Sequence, residues 1–175
     1  MKSFKNIALG AFLTVSAFGA VLYTSCTKDE CKDVVCQNGG TCSSGTCTCA
    51  TGYTGTKCET TYRAGFANTY KGNGADNAGG TYSNFRLVFA ATGTDVNKMT
   101  VTVQDAAGGS ADIPVLTVNM SNYTSTGATF TAESVTSAGF TYTASGSISG
   151  TTATMTVSET GNPNTIYSYT NFVKQ

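Results

Sequence analysis

The sequence predicts an all-β protein in two parts: a small disulfide-stapled module, then an antiparallel up-and-down β-barrel or sandwich of about eight strands. Three observations support this prediction. All seven cysteines lie between Cys26 and Cys58, which indicates a local disulfide framework formed in an oxidising compartment. After residue 60 the chain is rich in Thr, Ser and Gly, and apolar residues alternate with polar ones, as in half-buried strands. No apolar period of 3.6 residues persists there, so long helices are not expected.

The composition argues against several classes of function. The 175 residues include ten Lys and Arg and ten Asp and Glu. This balance, without any basic run, gives no support to nucleic-acid binding. Histidine is absent, which removes the usual general base of nucleophilic triads and the commonest metal ligand. We therefore expect no cofactor, no metal site and no enzymatic activity.

The amino-terminal segment, residues 1–25, has the order of an export signal peptide. Lys2 and Lys5 precede an apolar stretch over residues 7–23, which Gly, Thr and Ser interrupt. A permanent membrane span needs about 20 predominantly apolar residues, so this stretch is marginal for that role. It suits a transient signal better, with an uncleaved signal anchor as the alternative.

Cys26 follows directly, in the segment Leu22-Tyr23-Thr24-Ser25-Cys26. This segment resembles a bacterial lipobox, in which small residues precede a cysteine that is lipidated and becomes the new first residue. The resemblance implies fatty-acyl chains such as palmitate on Cys26, and an unpaired thiol is the alternative. Residues 26–30 then form an acidic linker that resembles the surface-export tag of some Gram-negative lipoproteins. It implies a lipid-anchored protein at the cell surface, in the outer membrane.

The remaining six cysteines, Cys31 to Cys58, follow the spacing C-x4-C-x5-C-x4-C-x-C-x8-C. Six cysteines allow fifteen pairings, so their number alone leaves the connectivity open. A segment of about 28 residues cannot bury enough apolar surface to fold unaided, so it needs cross-links or a metal. A cysteine-only zinc site is the alternative to disulfides, but an exported chain without His favours disulfides.

The same segment resembles an EGF-like domain over its whole length. The resemblance is carried by Asn38-Gly39-Gly40-Thr41-Cys42, Cys47-Thr48-Cys49 and Gly52-Tyr53-Thr54-Gly55-Thr56-Lys57-Cys58-Glu59. It implies a module over residues 31–59 built on a two-stranded hairpin. It also implies the disulfides Cys31–Cys42, Cys36–Cys47 and Cys49–Cys58. The Asp or Asn that calcium-binding members carry between their third and fourth cysteines is missing, so bound calcium is not expected.

The second part, residues 62–175, is predicted to form antiparallel strands. Strict alternation over residues 99–103, 140–144 and 153–157 is typical of strands with one solvated face, and Phe85, Leu87 and Phe89 likewise share one face of a strand. Turn signals such as Gly72-Asn73-Gly74 and Gly108-Gly109 separate the strands. The predicted strands span roughly residues 63–72, 81–91, 97–104, 113–119, 128–133, 138–148, 151–158 and 165–173.

This part also resembles a lipocalin-like (calycin-type) small barrel of bacterial surface lipoproteins. The resemblance is carried by Tyr70-Lys71-Gly72-Asn73-Gly74, by Gly146-Ser147-Ile148-Ser149-Gly150-Thr151 and by a final Tyr-rich strand from Ile166 to Val173. It implies an up-and-down barrel and assigns no functional residue.

The predicted function is binding, adhesion or structural support at the cell surface, without catalysis. The partners would be the membrane, through the lipid anchor, and an unknown protein, glycan or small apolar ligand. Seven tyrosines could line a cavity or stack on a glycan, although Tyr also packs well in strands. They are Tyr62, Tyr70, Tyr82, Tyr123, Tyr142, Tyr167 and Tyr169.

Two alternative functions stay open at this point. One is a carrier with a closed apolar cavity inside the barrel. The other is a hydrolase that uses two carboxylates in one cleft. Its candidate residues, which solvated loop charges would equally explain, are Asp76, Asp95, Asp105, Asp112, Glu133 and Glu159.

Overall fold

A computed structural model describes residues 29–124, 126–161 and 164–175 of the chain. The predicted signal peptide and Cys26 lie outside the described residues. In the part that is described, no helix has the length and apolar character needed to cross a membrane.

Residues 31–59 form a small unit that we call the disulfide module. Its cross-links join Cys31 to Cys42, Cys36 to Cys47 and Cys49 to Cys58, which confirms the predicted pairing. Strands β1 (Thr41–Ser43) and β2 (Thr46–Thr48) form an antiparallel hairpin. Among the described side chains of the module only Cys58 is buried. Covalent cross-links therefore hold the disulfide module, because it has almost no core.

A short connection joins the disulfide module to the rest of the chain. Strand β3 (Tyr53–Thr54) pairs with β4 (Thr60–Thr61), and helix α1 (Tyr62–Phe66) follows at once. The strand predicted over residues 63–72 is therefore wrong in its first half. Tyr62 and Phe66 are four residues apart, so one helical turn places both rings on the same face, where both pack against the core.

Eight antiparallel strands close into an up-and-down barrel. They are β5 (Thr69–Asp76), β6 (Thr81–Ala91), β7 (Lys98–Gln104), β8 (Leu116–Ser121), β9 (Gly127–Ala132), β11 (Phe140–Ser149), β12 (Thr152–Thr160) and β13 (Thr165–Lys174). Successive strands pair, and β13 closes on β5. A short strand β10 (Val135–Ser137) continues the line of β9 along β11. Closure confirms the predicted barrel and excludes the sandwich.

Alternation decides which side chains fill the barrel. In β7, Met99, Val101 and Val103 are 0% exposed, whereas the residues between them face outward. The same holds in β12, where Ala153, Met155 and Val157 are buried. With buried aromatic residues from β5, β6, β9, β11 and β13, these side chains form one continuous core. The described interior of the barrel is thus packed with side chains.

Two glycines of β5 correct a second sequence prediction. Gly72 and Gly74 lie inside the strand, so the turn predicted at residues 72–74 is wrong. A Cβ on Gly72 would come within 2.6 Å of the Phe172 ring, and a Cβ on Gly74 within 2.9 Å of the Tyr169 ring. The pairing with β6 also shifts register between the two glycines, as at a β-bulge. These glycines therefore make room for aromatic rings rather than for a turn.

Because the strands run antiparallel, the connections gather at two ends of the barrel. The end that we call the module end carries the disulfide module and α1, with the described residues of the connections after β6, β8 and β11 (92–97, 122–124 and 126, 150–151). The opposite end, the open end, carries the described residues of the connections at 77–80, 105–115 and 138–139, and residues 161 and 164 between β12 and β13.

Candidate functional site

At the module end, side chains of α1 contact the connections of the barrel. The Arg63 guanidinium donates hydrogen bonds of 2.7 to 3.2 Å to three backbone carbonyl oxygens of residues 92–95. The Tyr62 ring stacks on Tyr123 with 5.3 Å between centroids, and the Tyr123 hydroxyl donates to Asn97 Oδ1 at 3.1 Å. Tyr62 and Tyr123, two of the seven tyrosines that could have faced a ligand, thus join α1 to the barrel.

The open end holds a cavity of about 370 Å³, which we call the mouth pocket. It lies between β6, β13 and the 105–115 connection. Its lining consists of Tyr82, Phe85, Tyr167, Tyr169, Ala111, Ile113, Ser110, Asp105 and Asp112. Three of the seven tyrosines therefore reach this pocket. Tyr70 and Tyr142 are instead buried in the core, at 1% and 5% exposure.

The rings of the mouth pocket meet across β5. Gly74 of β5 pairs with Tyr82 on one side and with Tyr169 on the other, so no side chain separates the neighbouring strands there. The ring centroids of Tyr82 and Tyr167 are 6.3 Å apart, and those of Phe85 and Tyr169 are 6.5 Å apart. These separations are typical of aromatic pairs in contact. The result is one continuous aromatic wall.

Carboxylates hold two of the tyrosine hydroxyls. The Tyr82 hydroxyl donates a hydrogen bond to Asp76 Oδ2, and the Tyr167 hydroxyl donates to Glu159 Oε2 at 3.2 Å. The bond from Tyr82 lowers the pKa of Asp76, and the same bond raises the pKa of Tyr82. Asp76 therefore stays ionised, and Tyr82 stays neutral, at physiological pH.

Tyr169 differs from the other two pocket tyrosines. Its side chain is only 2% exposed, and burial raises the pKa of its hydroxyl. Among the described residues no group hydrogen-bonds to this hydroxyl, which is not fully enclosed either. A nearly buried polar group normally has a hydrogen-bond partner. The Tyr169 hydroxyl is thus available to a group that enters the mouth pocket.

The structure separates the six acidic residues that the sequence singled out. Four of them gather at the open end, either in the pocket lining or directly behind its tyrosines: Asp76, Asp105, Asp112 and Glu159. Asp95 lies at the module end, and Glu133 forms an ion pair of 2.5 Å with Lys98. In the described parts of the chain, no group of three or more His, Cys, Asp or Glu could hold a metal ion.

The turns at Gly79-Gly80 and Gly108-Gly109 were predicted from the sequence, but the pattern that these two turns of the open end share was not noticed. The pentapeptides Asp76-Asn77-Ala78-Gly79-Gly80 and Asp105-Ala106-Ala107-Gly108-Gly109 share the pattern Asp-x-Ala-Gly-Gly. In both, the Asp Oδ1 accepts hydrogen bonds of 2.8 and 2.9 Å from the backbone N–H groups two and four residues later. The fourth residue, Gly79 or Gly108, has a φ of 93° or 88°, which favours glycine. A search for short internal repeats would have found this signal.

We expect the Asp105→Ala substitution to lower the free energy of unfolding by about 1–2 kcal/mol, because two backbone N–H groups lose a charged acceptor. Urea denaturation followed by circular dichroism measures the change. Asp105→Asn keeps an acceptor oxygen and should lose less. Asp33→Ala, which removes an exposed acid of the disulfide module, is the control. An Asp105→Ala variant as stable as the control would contradict this role.

In an alkaline titration, the Tyr167 hydroxyl should lose its proton at a higher pH than an ordinary tyrosine. Burial, then the negative charge of Glu159, raise the pKa of Tyr167 to about 12, above the ordinary value of about 10. Because the folded-state pKa is the higher one, the associated stability is complete below about pH 10 and is lost as the pH rises toward 12. Phenolate absorbance, with circular dichroism as the check of folding, should lose a step near pH 12 in Tyr167→Phe. Loss of a step near pH 10 instead would show that Tyr167 is not perturbed.

Comparison of the chain with protein-family models, with curated proteins and with solved structures finds no match. The function of the mouth pocket therefore has to be inferred from its own geometry.

Proposed function

We propose that this protein is a lipid-anchored, non-enzymatic protein of the outer cell surface whose barrel binds a ligand in the mouth pocket. The observation that carries the proposal is the pocket itself, a cavity of about 370 Å³ with four aromatic rings in its lining. This volume lies in the range of small-molecule sites, about 300–1,000 Å³. The chain enters the barrel from the module end, so a lipid on Cys26 would leave the mouth pocket on the far side of the barrel from the anchor.

The disulfide module is proposed to be EGF-like and to act as a spacer or contact module between lipid and barrel. Its cysteine spacing and its three disulfides support this assignment. The hydrogen bonds of Arg63 and the stacking of Tyr62 on Tyr123 couple the barrel to the segment that follows the module. A spacer needs such coupling in order to hold the barrel in a fixed relation to the anchor.

The barrel is proposed to be lipocalin-like, as its closed meander of eight strands suggests. A carrier that encloses an apolar ligand is the weaker alternative. The described interior is filled by side chains such as Leu87, Met99 and Met155, each at most 1% exposed. The mouth pocket lies outside this packed layer, so a ligand would bind at the opening rather than within the barrel.

Hydrolysis by two carboxylates is also less well supported than binding in the mouth pocket. Asp105 and Asp112 share the mouth pocket, but Asp105 Oδ1 accepts two backbone hydrogen bonds within its turn. Asp76 and Glu159 accept hydrogen bonds from tyrosines. The acids of the open end thus serve mainly to hold turns and rings, which favours binding over catalysis.

Two measurements test the proposal. The intact mass of the protein from membranes should show acyl chains on Cys26 and the loss of residues 1–25, and an unmodified chain that retains those residues would contradict the anchor. A nuclear magnetic resonance screen with small cationic, neutral and anionic compounds should shift the ring resonances of Tyr82, Tyr167 and Tyr169. The rings of Tyr70 and Phe130, which are buried in the core at 1% exposure, are the internal control. A screen that leaves the three mouth rings unmoved would contradict binding at this pocket.

A further inference from the structure

We propose that the mouth pocket selects a small organic cation, an alkylated ammonium group that carries a neighbouring hydroxyl. This inference rests on the proposed ligand-binding role of the same pocket and names the chemical class of its ligand. Three features of the described residues support it: the sign of the charge, the arrangement of the rings and the free hydroxyl of Tyr169.

The charge around the mouth pocket is of one sign. Asp105 and Asp112 are the charged residues of the lining, which contains no Lys or Arg. Asp76 and Glu159 add negative charge directly behind Tyr82 and Tyr167. An acidic cleft of this kind raises the local concentration of cations and repels anions.

One basic side chain lies near the rim. Arg86 is on the outward face of β6, between the inward-facing Phe85 and Leu87, and its guanidinium lies beside Gly108. It is not part of the pocket lining. One positive charge thus stands against the four negative charges of Asp76, Asp105, Asp112 and Glu159, so the net charge around the pocket stays negative.

The rings of the mouth pocket suit a cation better than a neutral ligand. The faces of Tyr and Phe rings attract ammonium groups through the ring quadrupole. Tyr82 and Tyr167 both donate their hydroxyl protons to carboxylates. Such a bond increases the electron density of the phenol, and this strengthens its attraction for a cation. A neutral sugar could stack on the same wall but would gain nothing from the acids.

The Tyr169 hydroxyl indicates a polar group next to the cation. It is nearly buried and has no hydrogen-bond partner among the described residues. A ligand hydroxyl could donate to it or accept from it. A quaternary ammonium group has neither a donor nor an acceptor for this hydroxyl, so we infer that the ligand carries a hydroxyl beside a fully alkylated ammonium group.

The test compares probes of one shape and different charge on the full mature chain. The probes are choline, its uncharged isostere 3,3-dimethyl-1-butanol, the anion 3,3-dimethylbutanoate, tetramethylammonium and methyl glucoside. Calorimetry gives the affinities, and the ring resonances of Tyr82, Tyr167 and Tyr169 give the location. We expect choline to bind on the order of tenfold more tightly than the isostere, with affinity falling as salt is raised. The anion should not bind measurably.

Two variants separate the contribution of the negative charge of the pocket to binding from that of the Tyr169 hydroxyl. Asp112→Asn should weaken choline binding several-fold and leave the isostere unchanged, whereas Asp33→Asn in the disulfide module, the matched control, should change neither. Tyr169→Phe keeps the ring and removes the hydroxyl. It should weaken choline binding but not tetramethylammonium binding.

The outcomes distinguish this inference from the proposal on which it rests. Equal binding of choline and its isostere at the mouth rings, or preferred binding of methyl glucoside there, would overturn the cation preference and keep the binding role. No shift of the mouth rings with any probe or with the wider screen would overturn both. Loss of choline binding in Asp33→Asn would show that the cation binds elsewhere, and would overturn the inference.

Discussion

Replacing Phe130 with alanine is expected to lower the free energy of unfolding by about 3–5 kcal/mol. Phe130, in β9, is 1% exposed. Its ring meets that of Phe89 at 5.3 Å in an edge-on arrangement, and it covers Gly146, where a Cβ would lie within 2.5 Å of the ring. Because Gly146 has no side chain that could move into the gap, the cavity left by the alanine would stay open. Among such substitutions, those that leave a cavity that cannot collapse lower the free energy of unfolding most.

Chemical denaturation of the variant and of the original protein measures this difference. Thr131→Ala is the matched control, because Thr131 lies one residue further along β9 and faces solvent. It should change the stability by no more than about 0.5 kcal/mol. A loss of less than about 1 kcal/mol in Phe130→Ala would mean that the ring does not fill the barrel as described.

Most strands of the barrel could be predicted from the sequence because the alternation of apolar and polar residues lies within each strand. In β7 and β12 every second residue is apolar, and only a strand with one buried face requires that pattern. The closing pair β13–β5 does not follow from this local pattern, which is equally compatible with a sandwich. The start of β5 was missed because α1 is a single turn, too short for a helical period to appear in the sequence.

The turn predicted at residues 72–74 failed for a different reason. Glycine is compatible with a turn, and it is equally compatible with a strand position that lies under an aromatic ring. What separates the two cases here is the contact of Gly72 with Phe172 and of Gly74 with Tyr169. Those partners are about a hundred residues away in the sequence, so no local pattern contains the answer.

Only the residue types of the mouth pocket, not their grouping, could be predicted from the sequence. The sequence pointed to its tyrosines and acidic residues but gave no means of separating them from Tyr62, Tyr123, Asp95 and Glu133. For Tyr62, Tyr123 and Asp95 the separation depends on which end of the barrel each segment reaches, and for Glu133 on its ion pair with Lys98. It depends also on Gly74, since the rings of β6 and β13 meet only where β5 carries no side chain.

Removal of one disulfide should unfold the disulfide module and leave the barrel folded. The double substitution Cys36→Ser with Cys47→Ser opens a loop of 11 residues, and loss of a native disulfide from a small domain costs about 2–5 kcal/mol. The module has no core to offset this loss, since Cys58 is its one buried side chain among those described. The barrel contains no cysteine, so its own unfolding transition should keep its midpoint.

Limited proteolysis measures the first effect and thermal unfolding the second. We expect rapid cleavage between residues 31 and 59 in the double variant, together with an intact fragment that begins near α1. The Arg63 contacts with the 92–95 segment hold α1 from the barrel side, so the module end should stay covered. A module that resists protease without this disulfide would show that packing or a metal holds it. A barrel that unfolds with the module would show that the two form a single cooperative unit, and the spacer role would then have to be abandoned.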